Sequence, residues 1–121
     1  MKSLVIVAHG SKREHSNNEV SQLMTQLKED MNDEYPIILS SFLEFASPSI
    51  PEAINLCLQQ GATSIKVLPY FLSAGKHVHE DIPQQAKIAV SPHNNVHLEI
   101  LPHLGSSAKM IELMRGAISG H

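Results

Sequence analysis

Four short apolar runs, at residues 3–8 (SLVIVA), 36–43 (PIILSSFL), 64–68 (SIKVL) and 96–101 (VHLEIL), alternate with segments whose apolar residues recur at helical spacing. No other feature constrains the fold as much. Short β-branched runs of this kind read as strands buried on both faces, and the segments between them as amphipathic helices. A βαβαβαβα order closes into a parallel sheet covered by helices and joined by right-handed crossovers. The reading is an α/β chain with a four-stranded parallel sheet in the order 2-1-3-4. At 121 residues the chain is long enough for one domain, residues 1–121, with a core of its own.

Helix boundaries follow from local signals. Ser16-x-x-Glu19 reads as a capping box, so the first helix is expected over 17–32, with Val20, Leu23, Met24, Leu27 and Met31 inward. Ser49-x-x-Glu52 with Pro51 starts the second helix, and Gly61 ends it. Residues 69–80 read as a loop, and Asp81 as the cap of a third helix that has Pro83 in its first turn. In the fourth helix Met110, Ile111, Met114, Ala117 and Ile118 are expected to face inward.

Composition narrows the partners. A net charge of −3, with no basic stripe, argues against nucleic acid. No apolar run approaches the roughly 20 residues that span a bilayer, so no membrane partner is expected. The opening MKSLVIVAHG lacks a small-residue cleavage site and reads as a buried strand, not a signal peptide. The single cysteine, Cys57, cannot form an internal disulfide and suits a reducing, cytoplasmic setting. On the apolar face of its helix it reads as a buried, inert thiol.

Parallel α/β sheets bind ligands beyond the carboxyl ends of their strands. His9 follows the first run, Glu44 the second, His77 and His79 the third, and His103 the fourth, so all five map to one edge. Imidazoles and a carboxylate suit first-row divalent metals, and three such ligands leave coordination positions open. The same groups accept protons near neutral pH. Each also has a plainer reading. His9 can cap a strand through a hydrogen bond, Glu44 can be a solvated strand end, and His77 and His79 can be solvated loop residues. On extended backbone the H-x-H pair would point to one side. His15, His93, His97 and His121 read as surface or structural. Lys12, Arg13 and Lys76 are either solvated charge or a positive patch that attracts a polyanion, with the Gly75-Lys76 backbone as a further donor.

The segments VAHGS (7–11), FLEFASPSIPEAI (42–54) and LPYFLSAGKHVHEDIP (68–83) resemble the small class II chelatases of the CbiX type, the sirohydrochlorin cobaltochelatases and ferrochelatases of cobalamin and siroheme synthesis. The resemblance runs through nearly the whole chain, and its most specific part is the G-x-H-V-x-x-D-I-P pattern at Gly75 to Pro83. It implies a three-layer chelatase-like fold in a half-size enzyme that forms a homodimer. It implies that His9, Glu44 and His77 are the catalytic, metal-handling residues, with His79 an accessory. Ser11, Lys12, Arg13 and Lys76 would then bind the carboxylates of a tetrapyrrole. The divalent metal (Co²⁺, Fe²⁺ or Ni²⁺) would be a substrate, with no organic cofactor. One departure is Pro102-His103-Leu104-Gly105, where the family tends to carry Pro-Leu-Gly, and it leaves His103 without a family role. Two other readings use the same residues. One is a metal-storage or delivery protein. The other is phosphoryl transfer through a strand-end histidine, which usually needs an arginine where this chain has Ala8.

Overall fold

The structure is a computed structural model that describes residues 1–120, with His77 described through its backbone alone. Among the described residues the order is β1 (Lys2–Ala8), α1 (Glu14–Met31), β2 (Ile37–Phe42), α2 (Ile50–Gln59), β3 (Ser64–Pro69), α3 (Lys76–Val90), β4 (His97–Ile100), a 3₁₀ turn (Leu104–Ser106) and α4 (Met110–Ser119). The four strands form one parallel sheet in the order β2-β1-β3-β4, as the alternation predicts.

Strand β1 is central and buried from Ser3 to Ala8, and its side chains alternate between two cores. Val5 and Val7 join Ile50, Ile54 and Cys57 of α2, Ile65 and Val67 of β3, and Ile82 and Ala86 of α3. Leu4 and Ile6 turn the other way, to Met24 of α1, Tyr35 and Ile38. Ile6, Ile54 and Ile65 are fully buried, each contributing roughly 1.5–3 kcal/mol through apolar burial. The two buried serines are satisfied. The Ser3 hydroxyl donates to the Ser64 carbonyl (3.0 Å) and the Ser41 hydroxyl to that of Ile6 (3.3 Å). Burial pushes the Cys57 thiol above its ordinary range, in keeping with an inert thiol.

The α2 signals hold. The Glu52 N–H donates to the Ser49 hydroxyl (3.2 Å), and the Ser49 N–H to the Glu52 carboxylate (2.8 Å). Gly61 follows the helix at φ 94°, a left-handed conformation open to glycine.

Three expectations are corrected. Helix α1 begins at Glu14, so Ser16 and Glu19 lie inside it and form no capping box. The turn before it is tied instead by Asn17, which bonds both the N–H (3.0 Å) and the carbonyl (2.8 Å) of Ser11. Helix α3 begins at Lys76, not at Asp81, with Gly75 as its N-cap. Val78, Ile82 and Ala86 recur every four residues along its inner face, and that stripe carries the helix back through residues assigned to a loop. Pro83 therefore lies inside α3, where it cannot donate to the His79 carbonyl. His79 is exposed, so water can serve that group.

The third correction concerns α4. Ile111, Met114, Ala117 and Ile118 are not inward; Ile118 is 83% exposed, and no residue of the helix is fully buried. Met110 and Leu113 instead line a shallow apolar groove with Leu23, Tyr70, Phe71 and Leu104, which places α4 near α1 and the β3–α3 loop. Among the described residues nothing covers Ile111, Met114 or Ile118.

Candidate functional site

The β1–β2 ladder does not stop where the strands end. The Leu43 N–H donates to the Ala8 carbonyl (3.0 Å) and the Glu44 N–H to the His9 carbonyl (3.1 Å), so the two loops leave the sheet as a bonded pair. Gly10 lets them close. Its φ is 92°, and a β-carbon there would stand 1.8 Å from the Glu44 carbonyl oxygen. No other residue type fits this approach without displacing the Glu44 backbone.

The side chains follow their backbones. His9 Nδ1 and Glu44 Oε1 are 3.6 Å apart, with the side chains 59% and 51% exposed. That is too long for a hydrogen bond, and an exposed pair of this kind adds at most about 1 kcal/mol of stability. The spacing has a different use. Two ligands about 2.1 Å from one tetrahedral ion lie about 3.4 Å from each other. The two atoms therefore stand almost where a shared divalent cation requires them, on a surface it can reach.

Sequence reasoning missed two aromatic neighbours. The Phe71 ring centroid lies 6.3 Å from that of His9, at a tilt of 50°. This brings the β3–α3 loop, which leads to His77, against the β1–α1 loop. The residue after Glu44 is Phe45, exposed and at φ 65°. A side chain held in this left-handed region costs about 1–3 kcal/mol. Nothing in the sequence marks the strained backbone at Phe45.

The remaining candidates divide. Lys12 Nζ stands 5.2 Å from the Phe45 ring centroid, beside Glu44. Arg13 and Lys76 are exposed at the starts of α1 and α3. The Ser11 hydroxyl accepts from the Arg13 N–H (3.0 Å), which leaves its own hydrogen to donate. His77 lies in the first turn of α3, and its side chain is outside the described residues. So is His121, which the sequence reading assigned to the surface or to a structural role. Among the described residues no three ligand side chains form a metal-holding cluster, and His9 with Glu44 is a pair. The extended backbone that would put the His77–His79 pair on one side is not there, since both positions are helical. His79 instead lines a groove of about 380 Å³ with Val78, Pro83, Lys87, Pro102 and His103, to which neither His9 nor Glu44 contributes. Gly105 sets the far loop of that groove. Its N–H donates to the Phe71 carbonyl (2.8 Å), and a β-carbon there would fall 1.6 Å from the Leu72 carbonyl oxygen.

Known proteins resemble this chain in sequence and in fold. The CbiX family model matches residues 3–120. The chain is 35% identical over 115 residues to the chloroplastic sirohydrochlorin ferrochelatase of Arabidopsis thaliana, covering 95% of this chain and 50% of that protein. It is 38% identical over 84 residues to the sirohydrochlorin cobaltochelatase of Methanocaldococcus jannaschii, covering 69% and 57%. In fold it is similar to the cobalt complex of the sirohydrochlorin chelatase SirB from Bacillus subtilis subspecies spizizenii. The TM-score there is 0.86 at 24% identity, over 98% of this chain and 50% of that one. The chain thus spans about half the length of these relatives.

Gly10 and Gly75 should respond differently to alanine. Gly10→Ala should lower unfolding free energy by roughly 2–4 kcal/mol in urea denaturation, through strain and displacement of the Glu44 backbone. Gly75→Ala, at φ −70° with open space around its β-carbon, should cost less than about 1 kcal/mol. Equal effects would show that the two loops are not locked as described.

Proposed function

Because this chain belongs to the CbiX family, we propose that it inserts a divalent metal, Co²⁺ or Fe²⁺, into sirohydrochlorin or a closely related tetrapyrrole. The observation that carries the proposal is the His9–Glu44 pair, two metal-ligating atoms 3.6 Å apart at the carboxyl edge of the sheet. The metal choice follows the named activities of the relatives, one a ferrochelatase and one a cobaltochelatase.

In this reading His9 and Glu44 hold the incoming metal with His77 as third ligand, which leaves coordination positions open to the macrocycle. Insertion releases two pyrrole protons for each divalent metal taken up. Each protein–metal bond that breaks frees a lone pair on an imidazole or carboxylate, and that group can accept a proton. The ligands thus become the bases as the metal leaves them, with no change of oxidation state. Ser11, Lys12, Arg13 and Lys76 serve the substrate's carboxylates, while His79 stays an accessory. A single buried cysteine suits a reducing compartment, and the proposed setting is the cytoplasm.

We also propose a homodimer. The Arabidopsis thaliana relative is about twice as long, and one lobe encloses a macrocycle on one side only. The uncovered apolar stripe of α4 is a surface that a second copy could bury, and a two-fold pair is the commonest way to do so.

Anaerobic incubation with sirohydrochlorin and Co²⁺ or Fe²⁺, followed by absorption, should show turnover. His9→Ala and His77→Ala should each slow insertion by on the order of 10²-fold or more, while His79→Ala keeps most activity. Absence of turnover in the unmodified protein, with metal still bound, would identify a carrier and overturn the enzyme reading. An inactive His79→Ala beside an active His77→Ala would reverse the assignment of the two histidines. For assembly, light scattering at micromolar concentration should give twice the mass of the chain, and Ile118→Glu should give the single-chain mass. A monomer before substitution would refute the dimer.

A further inference from the structure

Phe45 belongs to neither core cluster, and the residue is 56% exposed. Its backbone, at φ 65°, is one that glycine or asparagine would adopt more easily. The loop that carries it is closed at its base by the Phe42 N–H donating to the Pro48 carbonyl (2.9 Å). It is tied to the first loop by the bond from the Glu44 N–H to His9. The ring is therefore held out from the body of the protein by a braced loop.

What it stands beside is specific. Glu44 meets His9 and Phe45 meets Lys12, so both side chains of the second loop face residues of the one β1–α1 loop. A pair of metal-ligating atoms, a half-exposed aromatic ring and an ammonium standing over that ring are thus carried by two adjoining loops. A flat conjugated ring whose centre must meet the metal, and whose rim carries carboxylates, can use all three.

We propose that Phe45 is a substrate-positioning residue. Its ring is the platform on which the face of the tetrapyrrole rests while the macrocycle's centre lies over His9 and Glu44, and Lys12 takes a rim carboxylate. The inference rests on the proposed chelatase reading and names a contact that reading does not require. It accounts for an exposed aromatic side chain on strained backbone, which packing does not.

The test compares Phe45→Leu, which keeps apolar bulk and loses the π face, with Phe45→Tyr, which keeps both. Metal-free sirohydrochlorin is titrated into each by absorption, and Co²⁺ alone is titrated separately. Phe45→Leu should weaken macrocycle binding about tenfold, and Phe45→Tyr should stay within about twofold of the unmodified protein. Co²⁺ affinity should be the same in all three. Unchanged macrocycle affinity in Phe45→Leu overturns the platform. So does a parallel loss of Co²⁺ affinity, which would mean that the ring only braces the loop. If the unmodified protein binds Co²⁺ but no sirohydrochlorin, the chelatase reading falls and the platform falls with it.

Discussion

The bond from the Glu44 N–H to the His9 carbonyl is the interaction on which the site depends. It extends the β1–β2 ladder one step past the strands, so two loops that could diverge leave the sheet in register. Gly10 makes the step sterically possible, because its missing β-carbon is the space that the Glu44 carbonyl fills. Once the backbones are fixed, the imidazole and the carboxylate can reach a common point on an exposed edge. An exposed pair like this adds little to stability, so its placement is better understood through what it can bind.

The rest of the fold serves that edge. β1 contributes both to the α2–α3 core and to the α1 core, which anchors the strand from which His9 emerges. Phe71 and Gly105 draw in the loops after β3 and β4. Helix α4 is the exception, since among the described residues its Ile111, Met114 and Ile118 remain exposed.

Much of this was legible in the residues. The four apolar runs carried the strand order, and Ser49, Glu52 and Gly61 marked α2, because capping chemistry is local. Residues His9 and Glu44 could be mapped to one edge because strand ends in a parallel sheet face the same way. What failed depended on contacts distant in sequence or on competing local bonds. Asn17 clasping Ser11 began α1 before the Ser16–Glu19 signal, and the Val78–Ile82–Ala86 stripe drew α3 back to Lys76. The periodicity of α4 was read correctly as amphipathic, but a pattern of apolar residues does not say whether their partner lies in the same chain. Phe45 escaped notice because its significance lies in a backbone angle.

Anomalous X-ray diffraction at the cobalt edge, from crystals of the protein soaked in Co²⁺, would locate the metal. If His9 and Glu44 share it, a cobalt peak should lie within coordination distance of both, with His77 as third protein ligand. Cobalt held instead in the groove of His79 and His103, with the His9–Glu44 pair bare, would contradict the shared site.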